Sequence, residues 1–356
     1  MTPMARLTTP LGRLGAVLGR LKINRTWLAY AGYSTFFLLC FAVFSLVGFP
    51  YDRLGTFLQQ EVARAWPPPT PSAKPTRLMI GDIGPTWTLG IGLADVRIEQ
   101  DPPQPGRMPV AIALDALTVH PSFLSLLFGR AKVGFDASVG DGSIDGTLVA
   151  SGTERHLEAE LDEVDLAKLG LGGVVGMPMA GSASGSIELT SAEDPGASEG
   201  TLQLSVAGFV LGDGKAKLPI PGMAQGMTVE AIKAGKLDVK VTIHEGIAAI
   251  EKFETSGEDV EFHAGGSVRL GRPFERSRVD VTIDAKFTDA YKNRNDRTRG
   301  LFQAMEVNPL VKRAMSADGT MRFALSGTPQ ALHSRPAGAT AAARPTRRAL
   351  KKQAPE

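Results

Sequence analysis

Apolar and polar residues alternate with a period of two through much of the chain between residues 77 and 329. Such alternation is typical of β-strands that bury one face. The alternating runs are Trp87–Leu93, Val110–Leu114, Val133–Val139, Leu202–Val206, Leu237–Ile243, Val279–Phe287 and Met321–Leu325. Glycine-containing turns between them favour antiparallel meanders. These turns are expected at Gly140–Gly142, Asp145-Gly146, Gly212–Gly214, Glu245-Gly246, Gly265-Gly266 and Asp318-Gly319. The sequence therefore predicts a mainly β domain with a few helices, built as an elongated and mostly antiparallel sheet.

Helical periodicity is confined to four segments of the chain. Apolar residues recur at spacings of three and four from Leu54 to Ala65, which predicts an amphipathic helix that lies on a membrane surface or caps the β domain. Three further helices are predicted at Pro121–Arg130, Gly222–Gly235 and Thr298–Met315, the last interrupted by Pro309. The proline-rich segment 67–75 predicts an extended linker, because proline removes backbone donors and fixes φ.

A run of 23 residues without charge, 27–49, predicts a transmembrane helix. At 1.5 Å per residue it reaches about 34 Å, enough to cross a hydrocarbon core of about 30 Å. Trp27, Tyr30 and Tyr33 at one end and Tyr51 at the other resemble an aromatic belt. A cleaved signal peptide and a buried core helix are the alternatives, but the run is longer than a signal sequence and apolar on nearly all sides.

The chain has a formal net charge of only +2, and its excess of basic residues lies at the two ends. Five basic residues and no acid precede Trp27, which predicts a cytoplasmic N-terminus and a periplasmic remainder. This distribution disfavours a basic groove for nucleic acid. The sequence therefore predicts a basic cytoplasmic segment at 1–26, a transmembrane helix at 27–49 and a juxtamembrane helix with linker at 50–76. A periplasmic β-rich domain is predicted at 77–329 and a disordered basic tail at 330–356.

Cys40 is the one cysteine, so no intramolecular disulfide can form. A lipid-modified cysteine is disfavoured because the large Leu39 precedes it and the apolar run continues beyond it. The five histidines show no metal-ligand spacing and are expected to be structural: His120, His156, His244, His263 and His333.

Two further motifs are similar to a calcium-binding loop and to a nucleotide-binding loop, but each lacks a residue that such a site requires. Asp141–Gly146 is similar to the first half of a calcium loop, yet Gly152 stands where a bidentate glutamate is needed, so a hairpin turn is favoured. Gly170, Gly172 and Gly173 lie in no βαβ unit, and the third glycine of a nucleotide loop would fall at Val175. The acidic pair Asp162 and Asp165 is expected on a solvated face. We therefore predict no catalytic, cofactor-binding or metal-binding residues and no enzyme activity.

The chain resembles the type II secretion system protein N family (general secretion pathway protein N) from about Phe49 to Pro329. The resemblance rests on Phe49–Asp52, on Ile83-Gly84-Pro85 with Gly90–Ile98, on Leu114–Val119 with Ser122–Gly129, and on Asp141–Thr147. The later segment Gly235–Leu270, with Leu325–Pro329, is similar to AsmA-type repeats. None of these motifs is catalytic, and the basic tail after Pro329 departs from the family pattern.

The resemblance implies an accessory inner-membrane component of the type II secretion pathway that binds other secretion subunits. AsmA-type similarity implies the alternative, an envelope protein that binds or transfers lipid in a β-groove. An envelope enzyme is a third and less favoured class. The resemblance also implies a bacterial inner-membrane location, with a single membrane pass.

Overall fold

The computed structural model describes residues 30, 32–37, 40, 41, 43, 44, 48–68, 73–86, 90–102, 108–122, 125, 129–218, 227–272, 274–329 and 331–337. The chain forms two compact units, Met1–Tyr51 and Asp52–Glu356. In the first unit the described residues between 30 and 44 are helical. No helix among the residues described here is long and apolar enough to cross a membrane. Much of the predicted membrane segment 27–49 lies outside the described residues.

The second unit is dominated by strands, which confirms the mainly β prediction. The strands are β1 (Arg77–Met79), β2 (Asp82–Pro85), β3 (Ile91–Gln100), β4 (Val110–Pro121), β5 (Ala131–Val139), β6 (Gly142–Ser151), β7 (Glu154–Asp165), β8 (Met179–Ser191), β9 (Glu199–Leu211), β10 (Lys217–Leu218), β11 (Met227–Thr228), β12 (Ile232–His244), β13 (Ile247–Ser256), β14 (Val260–Arg269), β15 (Arg278–Phe287), β16 (Met321–Thr328) and β17 (Ala331–Pro336). The helices are α1 (Tyr51–Ala65), α2 (Leu171–Val175), α3 (Asp289–Lys292), α4 (Asp296–Val307) and α5 (Pro309–Ala314), with 3₁₀ turns at Pro195–Ala197 and Phe274–Arg276.

Fifteen of the described strands form one antiparallel sheet. From β3 to β17 each strand pairs with the next strand of the sheet along the chain, while β1 and β2 both pair with β3. The small hairpin of β10 and β11 lies outside this sheet, between β9 and β12 in sequence. The long alternating strands and tight turns of the sequence therefore give a meander, as predicted.

Tight two-residue turns join several neighbouring strands. Glu245 and Gly246 connect β12 to β13 with φ values of 49° and 69°, the left-handed conformation that a type I′ turn requires at both central positions. Gly140, with φ of 69°, and Asp141 form the two-residue turn between β5 and β6. These turns confirm two of the predicted hairpins.

The helices follow the local signals of the sequence. Asn295 caps α4 by accepting a hydrogen bond from the backbone N–H of Thr298 at 2.9 Å, and the Thr298 side chain completes a capping box. Asn308 ends α4 and caps α5 by accepting from the N–H of Leu310, with Pro309 in the first turn. The predicted interruption at Pro309 is thereby confirmed.

Helix α1 confirms the amphipathic helix predicted from Leu54 to Ala65. Leu58 and Val62 on its apolar face pack against a buried cluster of Leu78, Leu93 and Val96 from β1 and β3. The sequence predicts either a helix on a membrane surface or a helix that caps the β domain. The described contacts are those of a helix that caps this end of the sheet.

Two glycine-containing dipeptides that were predicted to be turns lie inside strands. Gly146 is in β6, where a Cβ atom would stand 2.3 Å from the ring of Phe135. Gly266 is in β14 with φ of 135°, and a Cβ atom there would stand 2.2 Å from the carbonyl oxygen of Asp280. Glycine serves close packing at these positions rather than a change of chain direction, so the turn predictions at Asp145-Gly146 and Gly265-Gly266 are wrong.

Three other segments also differ from expectation or fall outside the description. The helix predicted at Gly222–Gly235 is wrong over its described part, because Met227–Thr228 pair with β10 and Ile232 begins the long strand β12. Half of the residues of the helix predicted at Pro121–Arg130 lie outside the described residues, and Pro121 is the last residue of β4. Disorder was predicted from residue 330, whereas Ala331–Pro336 pair with β16 as an edge strand.

Candidate functional site: an apolar sheet face and a helical lid

One face of the sheet carries a row of apolar residues that crosses eleven consecutive strands. Each member of the row is the direct cross-strand partner of the next, so their side chains share one face. We call this row the apolar strip. Its members are Val133, Leu148, Leu157, Leu189, Gly200, Ile243, Ala248, Val268, Val279, Gly327 and Leu332.

No residue of the apolar strip is fully buried. Leu148 and Leu332 are 39% and 46% exposed, and the other members are half-buried. With neighbouring strands about 4.8 Å apart, the ten spacings give the strip a length of about 48 Å. A contiguous apolar surface of this extent is a feature of interaction sites.

The opposite face of the same strands is polar and charged. Asp238 binds Lys236 at 3.0 Å and Lys252 at 3.2 Å and accepts a hydrogen bond from the hydroxyl of Ser205. The bond from Lys236, followed by that from Ser205, lowers the pKa of Asp238 to about 2. Arg322 binds Asp284 through two nitrogens, each 2.6 Å from a carboxylate oxygen. This face is therefore solvated, and the apolar strip is the surface that a partner could cover.

The same apolar face is covered by helices at the ends of β9, β12 and β14–β16. We call α3, α4 and α5 together the helical lid. Its residues Tyr291, Leu301, Phe302 and Val311 are buried against the sheet. Tyr291 stacks on Phe287 at 5.6 Å between ring centroids, and Phe302 meets both rings edge-on. Aromatic packing thus attaches the helical lid to β15.

A cavity of about 350 Å³ lies between the helical lid and the sheet. Side chains of the sheet, such as Phe262, Ala285 and Phe323, form one wall, and Leu301, Met305 and Val311 form the other. Among the residues that line it, Tyr291 and Ser334 carry the only polar side-chain atoms. The phenol of Tyr291 already donates to the carbonyl oxygen of Glu230 at 2.9 Å, so the walls offer water few partners.

A buried ion pair fastens the helical lid to the sheet. The side chain of Asp259, between β13 and β14, is only 2% exposed. Its carboxylate accepts a hydrogen bond from the backbone N–H of Lys233 at 2.7 Å and another from the guanidinium of Arg294 in the segment between α3 and α4. Arg294 also lies over the ring of Tyr291, 5.0 Å from its centroid. We call this group the lid latch.

Burial also affects the tyrosine beside the latch. Removal from water raises the pKa of Tyr291 to about 12, since the phenolate would lose its hydration. The phenol therefore remains a neutral hydrogen-bond donor at any physiological pH.

The histidines lie apart from one another in the sheet. His120 contacts Asp136 at 2.8 Å, His156 contacts Thr190 at 3.0 Å, and His244 contacts Glu199 at 3.0 Å. The hydrogen bond that His244 donates to the carboxylate of Glu199 raises the pKa of His244. His263 lies 3.8 Å from Glu254, and His333 is on the edge strand β17. Sequence reasoning placed His244 and His263 in strands, and the structure agrees.

The remaining sequence motifs are structural elements in the described chain. Asp141 is in the turn before β6, while Gly170 precedes α2 with φ of 68°. Asp162 lies in β7, and Asp165 ends that strand and accepts from the N–H of Ala167. Within the described ranges, no group of three or more His, Cys, Asp or Glu side chains could hold a metal ion. Sequence reasoning missed the lid latch and the cavity, because their members are separated by up to 157 positions in the sequence.

A second concavity, of about 690 Å³, lies against the polar face between β4 and β9. Its charged lining is mainly acidic, with Asp136, Asp145, Glu158, Glu160 and Glu188. These carboxylates are exposed and well solvated, so they form a negative surface rather than a shaped binding site.

Fold and site together define a β-meander protein with an uncovered apolar strip and a lidded apolar cavity. Comparison with protein families, with characterised proteins and with solved structures finds no match to this chain.

Proposed function

We propose that this protein is an accessory component of the type II secretion pathway that binds other envelope proteins through its apolar strip. The observation that carries the proposal is the strip itself, about 48 Å of apolar surface that no described segment covers. The resemblance to the secretion system protein N family between Phe49 and Pro329 supplies the pathway. An uncovered apolar surface of this length favours binding as the mode of action.

A membrane anchor at residues 27–49 is part of the proposal. The aromatic side chains of the described helical residues there are exposed, as lipid-facing side chains would be: Tyr30, Tyr33, Phe36, Phe37, Phe41 and Phe44. The basic residues before Trp27 support a cytoplasmic N-terminus, with the sheet in the periplasm. Anchoring raises the local concentration of partners in the envelope, so weak contacts along the strip suffice for assembly.

A reporter that is active only outside the cytoplasm tests the topology. Fusion after Ala337 is expected to give activity, and fusion at residue 20 is expected to give none. Reversed activities would contradict the proposed orientation. A mature protein that begins near Trp66 would instead indicate a cleaved signal peptide.

Complementation of a deletion strain tests the role in secretion. Export of type II substrates is expected to fall in the strain and to be restored by the full chain. Variants Leu157→Gln and Leu189→Gln, which place polar groups on the strip, are expected to restore it poorly. Glu158→Gln, on the polar face of the same strand as Leu157, is the matched control. Full restoration by both strip variants would refute binding through the strip.

Lipid binding is the second candidate, and the length of the strip favours it. One leaflet of a bilayer core is about 15 Å thick, so a strip of about 48 Å is long enough for several acyl chains. The full chain, purified from membranes and washed free of loosely bound lipid, is then extracted and its phospholipid measured. Normal export in the deletion strain together with stoichiometric phospholipid would replace the secretion proposal with this one.

A further inference from the structure

We propose that the cavity beneath the helical lid binds a single hydrocarbon chain of an amphipathic ligand. The site is separate from the apolar strip, although both lie on the same face of the sheet. The inference deepens the lipid-binding candidate and does not depend on a role in secretion.

Size sets the first limit on the ligand. A water molecule occupies about 30 Å³ in the liquid and a methylene group is of similar size, so a cavity of about 350 Å³ accommodates about twelve methylene groups. A fatty acyl chain of medium length has this volume, whereas the two chains of a phospholipid do not fit together.

The chemistry of the walls sets the second limit. Aliphatic and aromatic side chains surround the cavity, and Met177, Met305 and Met321 are unbranched residues that adapt to an irregular guest. The one lining phenol is committed to the carbonyl oxygen of Glu230. A ligand with polar groups along its length would lose hydrogen bonds to water on entry and regain none, so a plain hydrocarbon chain is preferred.

The rim of the cavity indicates how such a chain lies. Ser334 is exposed and stands on the edge strand β17, opposite Leu325 of β16. Phe323, two residues before Leu325 on the same face, is a wall of the cavity. A chain can therefore extend inward past Phe323 toward Phe287, while its polar head remains near the hydroxyl of Ser334 and in water.

A photoactivatable fatty acid tests the proposal on the full chain in its membrane. Cells are fed a fatty acid of about twelve carbons with a diazirine near the chain end, irradiated, and the purified protein is digested for mass spectrometry. We expect the label in peptides that contain Leu301–Met305 or Phe287. The mass of the adduct distinguishes a free fatty acid from the same chain within a phospholipid, and either mass supports the inference.

Cavity-filling variants provide the specific control. Ala285→Leu and Ala285→Phe enlarge a wall residue and are expected to reduce labelling in steps, to about a tenth for the larger side chain, without lowering the thermal unfolding midpoint. Ala249→Phe, an exposed alanine on the polar face, is expected to leave labelling unchanged. Labelling and the thermal midpoint are also measured for Ala285→Leu, because its smaller side chain disturbs the packing less than that of Ala285→Phe.

The outcomes that would overturn the inference are distinct from failure of the secretion proposal. Labelling confined to peptides of β5–β8, or labelling abolished by Leu157→Gln and unaffected by both Ala285 variants, would move the site to the apolar strip. No labelling above the level of an unrelated anchored protein would reject the site altogether. Export of type II substrates enters none of these measurements.

Discussion

The lid latch is the point at which a single substitution is expected to loosen one part of the protein and spare the rest. Replacing Asp259 with alanine removes the acceptor for the backbone N–H of Lys233 and the counter-charge of Arg294. The helical lid then keeps its aromatic contacts with Phe287 but loses its ionic attachment to the sheet. We expect lower stability and faster opening of the lid.

The magnitude follows from burial. Hydrogen bonds to charged groups contribute about 1.5–3 kcal/mol each, and breaking a buried pair by removing one partner costs about 3–5 kcal/mol. The side chain of Arg294 is 36% exposed, so water compensates part of its loss. We therefore expect Asp259→Ala to lower the free energy of unfolding by about 2–4 kcal/mol. Asp259→Asn retains an acceptor for Lys233 and is expected to cost less.

Urea unfolding and hydrogen exchange of the full chain provide the measurement. The matched control is Lys240→Ala. It breaks an ion pair with Glu251 in which both side chains are exposed to water, so it should change the free energy of unfolding much less than Asp259→Ala does. Amide exchange in α4 is expected to accelerate in Asp259→Ala and to stay unchanged in β5–β7. Equal unfolding free energies for Asp259→Ala and Lys240→Ala would refute the assignment of the latch.

Three further predictions concern backbone strain, acid stability and the buried phenol. Gly266→Ala should lower the free energy of unfolding by about 2 kcal/mol or more, because φ is 135°, whereas the neighbouring Gly265→Ala, with open space around its Cα, should change it little. Asp238→Asn should lower the thermal midpoint at neutral pH. Folding lowers the pKa of Asp238 from 3.8 to about 2, so the stability that the ionised carboxylate contributes is full above its ordinary pKa and is lost as the pH falls through 2. The difference in thermal midpoint between Asp238→Asn and the original protein should therefore vanish near that pH. Tyr291→Phe should abolish the tyrosinate absorbance step near pH 12; an unchanged alkaline titration would contradict burial of that phenol.

The local pattern of the sequence was sufficient for seven of the seventeen described strands, for α1 and for the interruption between α4 and α5. Alternation in Leu237–Ile243 reports a half-buried strand directly, because side chains on a strand point to opposite faces. Likewise, Asn308-Pro309 carries its own cap and its own helix start. Such features depend on neighbouring residues alone and are readable without the rest of the fold.

The features that the sequence did not reveal depend on residues far along the chain. From the sequence alone Gly266 is expected in a turn. The need for glycine there comes from the carbonyl oxygen of Asp280 on the next strand, which leaves no room for a Cβ atom. Strand β17 has a weak pattern of its own and is defined by pairing with β16. In the sequence, Asp259 is one acidic residue in a loop, and its role becomes visible only when the fold brings the guanidinium of Arg294 to its carboxylate. The residues that line the cavity extend from Met177, before β8, to Ser334 of β17, so no local pattern in the sequence indicates it.

The order of the strands in the sheet has a consequence for how the chain can fold. Because synthesis releases the N-terminus first, each new strand from β4 onward meets a partner that has already emerged, and most loops to be closed are short. Relative contact order is correspondingly low for so large a sheet, which favours fast and stepwise growth. Until the next strand arrives, the growing edge exposes free backbone donors and acceptors. β17 is the last described strand to form, and α3–α5, which precede β16 in the chain, are made while the sheet beneath them is still two strands short.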